Sequence, residues 1–339
     1  MADRRLFMRQ SLAPLAVASV SGLLSRTGAA QSGSSQEWRP ERTVEYIVPA
    51  GAGAALDTSA RQIKDILDRE RLLGVSMVVT NKPGGAGMVA LSTLQARPGD
   101  AHPLVTLTHS SINNRIVGEV PVGYEDFTPL AILFDEAMTV AVRSDSPLRD
   151  GRDLVEALRK DPAALSVGVA TSVGNHVHTA IAKPLKTAGI AVAQMRVVPF
   201  KSSAESLNNL VGGHIDIVSA SAINVGTLLK AGRIRVIAVA SAQRLSGELA
   251  AIPTWREQGV DAVYSSSQGV LGARGLSAAQ VRFWEDTFRR LSDHPDWKAF
   301  VLRNHWTPRF MGAAQAKAYL DAEAASARAL LTELGLARR

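Results

Sequence analysis

The chain has 339 residues with 38 Lys and Arg against 31 Asp and Glu, seven His and no Cys. Hydrophobic residues make up 46% and charged residues 20%, an ordinary globular balance that excludes a fibrous or wholly disordered chain. Zero Cys excludes disulfides, thiolate nucleophiles, iron–sulfur clusters and Cys-ligated zinc, while a net charge of +7 raises nucleic acid as a partner to be tested against charge placement.

The N-terminus opens with Arg4, Arg5 and Arg9 around Leu6-Phe7-Met8, followed by a weakly apolar run from Ser11 to Leu24 and the small residues Gly28-Ala29-Ala30. That order reads residues 1–30 as a cleavable export signal resembling the twin-arginine type, with the general secretory route as the alternative. The run is too short and too polar to span a bilayer of about 30 Å. Removing it takes away four Arg and one Asp and leaves +4. The remaining basic residues are scattered, with no run of like charge and no aromatic platform, so nucleic acid is not expected as a partner. Gln31 to Arg39 reads as a flexible leader.

The first predicted strand, Val44 to Val48, ends at Pro49 and the loop Ala50-Gly51-Ala52-Gly53-Ala54-Ala55. Asp57 and Thr58 are N-cap types for the helix that follows, whose Ala60, Ile63 and Leu67 form one apolar face. Val75 to Thr80 is a second strand, and Asn81 to Gly87 opens a second helix. A third strand, Leu104 to Thr108, leads into the polar turn His109-Ser110-Ser111. Alternating strands and helices predict an α/β chain with parallel pairing.

The pattern returns further on. Leu165 to Ala170 is a strand, Thr171 to Asn175 a polar loop, His176 to Ala188 a helix and Met195 to Val198 a strand. Ser202 and Glu205 form a capping box for a helix stopped at Gly212-Gly213, before a strand from His214 to Ser219. Val48 and Val169 are 121 residues apart, Val79 and Val198 119, an offset that predicts two lobes of one architecture. Beyond them come extended segments at Ile234–Ser241 and Val263–Ala273, and a second capping box at Ser277 and Gln280. Trp284, Phe288 and Leu291 share one face of the helix this box opens. A last helix, about Ala313 to Leu334, is expected to pack back on the first lobe.

The small-residue loops 50–57, 81–87, 109–111 and 171–175 each follow a strand and precede a helix. Unpaired N–H groups and a helix end worth roughly +0.5 charge suit such loops to a carboxylate without any Lys or Arg. Read singly, each loop is a helix-capping turn; read together, they predict a shared cleft at the strand ends. Enzyme signatures are poor. Gly85-x-Gly87-x-x-Ala90 mimics a dinucleotide fingerprint, but no acidic residue closes a following strand. A phosphate loop and a nucleophile elbow are missing, and the pair His176 and His178 suits helix entry or core better than zinc. No metal or cofactor is expected.

Several motifs carry a family resemblance. Val48-Pro49 with Gly53-Ala54-Ala55-Leu56-Asp57 and Ala60-Arg61, then Val78-Val79-Thr80-Asn81-Lys82-Pro83-Gly84-Gly85-Ala86-Gly87, resemble two signatures of Bug-type solute-binding proteins, the receptors related to tripartite tricarboxylate transporters. Asp126-Phe127-Thr128-Pro129-Leu130, Val198-Pro199-Phe200-Lys201-Ser202 and Ile252-Pro253-Thr254-Trp255 are similar to later family segments, in order. The resemblance implies a type II periplasmic binding protein fold of the Venus-flytrap kind, with a mixed, mostly parallel sheet in each lobe and flanking helices. Lobe 1 would hold residues 38–137 and 263–339, and lobe 2 residues 138–262. The expected function is a periplasmic receptor for a small carboxylate-bearing acid (dicarboxylate, amino acid or aromatic acid), monomeric, serving membrane transporter subunits or a sensor protein. The alternative is an exported α/β enzyme acting on a small acid or nucleotide in the same cleft. Carried over by motif, the ligand contacts would be Gly53, Ala54, Asp57, Gly85, Ala86 and Ser110 from lobe 1, and Ser172, Val173, Gly174, Asn175 and His178 from lobe 2. Ala50 stands where the family has an aromatic residue, Ala54 replaces a Gly and Asn175 replaces a hydroxyl residue. The retained Asp57 favours ligands that carry an amine or amide beside the carboxylate.

Overall fold

A computed structural model describes residues 37–338. The expected export signal at 1–30 lies outside the described residues. The expected leader ends earlier than Arg39, because Trp38 packs edge-on against His102 and Phe283. Its indole needs apolar cover, and the Phe283–Trp284 pair supplies it.

The first stretch runs β1 (Val44–Val48), α1 (Ala55–Arg69), β2 (Met77–Asn81), α2 (Met88–Gln95), β3 (Pro103–Leu107), α3 (Ser110–Ile116) and β4 (Thr128–Arg143). There follow α4 (Gly151–Lys160), β5 (Ser166–Ala170), α5 (His176–Thr187), β6 (Arg196–Phe200), α6 (Ser203–Val211), β7 (Ile217–Ser221), α7 (Ala222–Lys230) and β8 (Ile234–Val239). The chain ends with β9 (Ser265–Gly272), α8 (Ala278–Asp293), α9 (Pro295–Arg303), β10 (Trp306–Gly312) and α10 (Ala313–Glu333).

The two halves predicted from the sequence offset share one strand order. In the first, β1 pairs in parallel with β2 and β3; in the second, β5 pairs in parallel with β6 and β7. Each parallel trio is flanked by an antiparallel partner, β9 on β3 and β4 on β7. Strand β4 belongs to both halves. Up to Ala137 it pairs with β9 and β10, and from Met138 onward with β7 and β8. This is the mixed α/β sheet of a type II periplasmic binding protein.

Alternation along the strands builds a core on both faces of each half. In the first, Tyr46, Leu104, Ala131 and Leu133 point to one face, covered by α1, α8 and α9. Ile47, Val105, Ile132 and Leu271 point to the other, covered by α2, α3 and α10. In the second, Val140, Val142, Val167 and Ile217 oppose Ala141, Val218 and Ala220. Helix α10 serves both halves. Leu320, Ala327 and Leu331 lie in the first core, while Leu330 joins the second.

The capping box at Ser277 and Gln280 forms in both directions. At Ser202 only half of the expected box forms. Ser202 accepts from Glu205 N, but the Glu205 carboxylate reaches one residue further back, to Lys201 N.

Candidate functional site

Because β1, β2 and β3 run in parallel, the loops that follow them emerge at one edge of the first half. The same holds for β5, β6 and β7 in the second. The small-residue loops of the sequence lie there.

The loop after β1 is shaped by Asp57. Helix α1 begins at Ala55 with Ala54 as its N-cap, so Asp57 lies in the first turn and does not cap the helix as expected. Its carboxylate turns back instead. Oδ2 accepts from Gly53 N at 2.8 Å and Arg61 Nε at 2.9 Å, and Oδ1 accepts from Asn81 Nδ2 at 2.9 Å. Asn81 Nδ2 also donates to Ala50 O, tying the loop to the end of β2. Asp57 is 2% exposed, and the Arg61 bond above all lowers its pKa to about 2. Gly53 and Ala54 are exposed. The N–H groups of Ala55 and Leu56 sit in a first turn, which has no intrahelical acceptors.

After β2 the backbone makes a left-handed turn. Gly84, Gly85, Ala86 and Gly87 have φ of +112°, +56°, +52° and +97°. Three glycines adopt this freely, whereas the Cβ of Ala86 makes it cost about 1–3 kcal/mol. Ala86 is held there by its carbonyl, which accepts from Asn114 Nδ2 at 3.2 Å. Pro49, Ala86, Gly87, Thr106, Thr108 and Ser111 share a recess of about 20 Å³, room for a water molecule.

The stretch after β3 is not the turn that its polar residues predict. Ser110 and Ser111 start α3, whose buried Ile112 and Ile116 pull them into a helix on the first core. Ser110 Oγ lies 2.8 Å from His176 Nδ1, at the first turn of α5 in the second half. Asn113 Nδ2 donates to Gly174 O at 3.0 Å and to Thr179 Oγ1 at 3.2 Å.

The loop after β5 is internally wired. Asn175 caps α5, its Oδ1 accepting from Val177 N and His178 N and its Nδ2 donating to Ala170 O and Thr171 Oγ1. His178 Nδ1 accepts from Gly174 N at 3.0 Å, which leaves Nε2 as the protonated nitrogen. That N–H is buried with no acceptor. Gly174 has φ +96°, and a Cβ there would meet Val117 Cγ1 at 3.0 Å. Thr171, β-branched, stands at φ +63°. Strained non-glycine residues thus flank the seam on both sides, Ala86 on one and Thr171 on the other. Ser172 and Val173 are half-buried.

The seam is poor in charge. His109 is buried with its ring 5.3 Å from that of Tyr264, whose hydroxyl is 2.9 Å from Thr179 Oγ1. Burial lowers the pKa of His109 to about 3 and those of His176 and His178 to about 4, so all three are neutral at pH 7. Neutral donors and helix first turns make a surface that accepts an anion without a fixed counter-charge.

Of the residues the sequence singled out, Ser110, Gly174 and His178 meet at this seam, with Ala86 tied to it through α3. Gly53, Ala54 and Asp57 belong to the neighbouring loop after β1. Asn175 and His178 Nδ1 spend their hydrogen bonds inside their own loop and helix start, and Asp57 spends its on Gly53, Arg61 and Asn81, so all three set loop shape. Sequence reasoning missed Asn113, Asn114 and Tyr264, and placed Thr171 in a candidate loop without a role of its own. The only signal for the two Asn was a polar pair inside a segment whose Ile112 and Ile116 are spaced like a helix face.

Comparison with known proteins bears on this arrangement. The sequence pattern of the family described as "Tripartite tricarboxylate transporter family receptor" matches residues 59–336. A UPF0065 protein in the gbd 5' region of Cupriavidus necator is 23% identical over 302 residues, covering 88% of this chain and 89% of that protein. A Rhodopseudomonas palustris protein solved with adipate superposes with a TM-score of 0.73 at 27% identity, covering 88% of this chain and 99% of that one. MatC from the same organism, solved with bound malate, is similar in fold, with a TM-score of 0.69 at 20% identity over 86% and 99%.

Proposed function

The chain belongs to the tripartite tricarboxylate transporter receptor family, and from that premise we propose that it is a periplasmic, non-enzymatic solute receptor that captures a small organic acid in a cleft between two lobes. Lobe 1 is assigned residues 38–137 and 263–339 and lobe 2 residues 138–262. The change of partners along β4 between Ala137 and Met138 supports that division. The ligand carboxylate is received by backbone N–H groups at the first turns of α1 and α2 around Gly53, Ala54, Gly85 and Ala86. Ser110 adds a hydroxyl from the same lobe, and the loop Ser172-Val173-Gly174-Asn175 meets the ligand from the far side, with a water in the recess beside Ala86. His178 Nε2 is the buried donor available to it, while Asp57 shapes the loop that presents Gly53 and Ala54.

One observation carries this reading. The loops after β1–β3 and after β5 belong to opposite halves of the fold, yet direct hydrogen bonds between α3 and the start of α5 join them. The acid delivered here would pass to membrane transporter subunits or a sensor protein. Residues 1–30 direct the chain out of the cytoplasm, by the twin-arginine route on the order Arg-Arg-x-Phe-Met. A relative carries adipate and a fold relative carries malate, so dicarboxylates are the first class to test. Isothermal titration with adipate, malate, aspartate and nicotinate should give one-to-one binding of at least one acid with no turnover. Absence of heat with every acid, together with conversion of any of them, would overturn the reading.

A further inference from the structure

Helix α3 is seven residues long, and three of its side chains grip three other segments. Asn114 holds the carbonyl of Ala86 in the left-handed turn after β2. Asn113 holds the carbonyl of Gly174 and the hydroxyl of Thr179, and Ser110 holds the ring of His176. Asn113 is 0% exposed and Asn114 6%.

We propose that α3 couples the two ligand loops, with Asn113 and Ser110 as positioning residues that keep a closed form populated before any ligand arrives. The coupling rests on the two-lobed reading above. Three observations carry it. The side chains are short, Asn113 and Asn114 buried and Ser110 half-buried, and all stand on one short helix, so the loop 84–87 cannot shift relative to the loop 171–176 without breaking or dragging their bonds. The strained conformations of Ala86 and Thr171 persist only where their surroundings over-determine them. Asn114 does this for Ala86, and Asn175, whose cap is anchored beside Gly174, does it for Thr171. Finally, the missing side chain of Gly174 lets Val117 of the first half sit against it, with Leu331 and Leu336 of the C-terminal segment behind. That segment is itself pinned to α3 by Arg338 N donating to Ile116 O at 2.9 Å.

The amide of Asn113 is held through its nitrogen alone, its Oδ1 having no partner. An aspartate there has the same shape but lacks the amide donor, and in its ionised form sets a negative charge against the carbonyl of Gly174, so the variant is read at pH 8. Losing the donor bonds at this seam should shift the ratio of closed to open forms about tenfold.

The chain has no cysteine, so spin labels go only where they are placed. Gln95→Cys on α2 and Asn208→Cys on α6 are both exposed and lie on different halves. Pulsed dipolar spectroscopy on the unliganded protein reports their separation. The labelled parent should show a dominant short distance. Asn113→Asp and Ser110→Ala should move most of that population to longer distances, and Arg115→Ala, on the exposed side of α3, should not. If Asn113→Asp fails to fold by circular dichroism, Ser110→Ala decides. Unchanged distributions in the folded variants, or a parent that is open without ligand, overturn the coupling. These unliganded distributions decide it whichever acid is bound. Failure of adipate and malate to bind in the titration above speaks against the proposed ligand class and leaves the coupling through α3 intact.

Discussion

At the scale of single residues, Asp57 shows how a legible side chain can hold a different role from the one first read. A small-residue loop followed by an acid at a helix start is visible in the sequence. That the acid turns back to Gly53 N is not, because it depends on where Arg61 and Asn81 stand in space. Three charge-assisted bonds to a buried carboxylate should make Asp57→Ala cost about 2 kcal/mol in urea denaturation. The same change should weaken binding of any acid the protein takes, through loss of loop shape. Unaltered affinity in a folded Asp57→Ala protein would remove this residue from the site. Its pH signature has a defined sign. A folded-state pKa of about 2 against an ordinary 3.8 gives stability that is complete above pH 3.8 and lost as pH falls towards 2. Asn113 and Asn114 were illegible for a related reason. Their value lies in carbonyls 28 and 61 residues away in the chain, and no local pattern encodes those.

Elements were legible where one face is wet. Helix α8 declares itself through Ser277, Gln280 and the stripe Trp284, Phe288 and Leu291, all of which the structure places as read. Ser277→Ala should lower stability by about 1 kcal/mol. Trp284→Ala, which empties a fully buried site and strands the carbonyl of Ala101, should cost about 3–5 kcal/mol. Equal midpoint shifts for the two in urea would contradict this assignment of core and cap. Strand β4 went unread. Its sequence from Thr128 to Arg143 is buried on both faces for most of its length, so the two-residue alternation that marks a half-exposed strand is absent. Yet β4 carries the chain from one half of the fold to the other. The sequence offset between Val48 and Val169 made the repetition visible, but not the strand that joins the two halves.

At the scale of the whole molecule, the seam gathers imidazoles from both halves, His109 from the first and His176 and His178 from the second, and burial holds all of them neutral. The groups facing them are few. Glu323 of α10 approaches His109 Nε2 at 3.9 Å, Lys183 of α5 and His176 oppose its protonation, and Ser110 and Tyr264 are uncharged. Folded-state values of about 3 and 4 lie below the ordinary 6.5, so unfolded or opened chains take up protons that the closed form refuses. Stability is therefore level above pH 6.5 and falls as pH drops from 6.5 towards 4, by at most about 1.4 kcal/mol per pH unit for each imidazole. The Asp57 contribution is untouched in that window, because its carboxylate stays ionised until far lower pH. Urea midpoints at pH 7.5, 5.5 and 4.5 should decline in that order, and replacing His109 by Phe should flatten part of the decline. A profile that stays level to pH 4.5 would mean that these rings are solvated, and that the two halves do not close over them as the hydrogen bonds from α3 require.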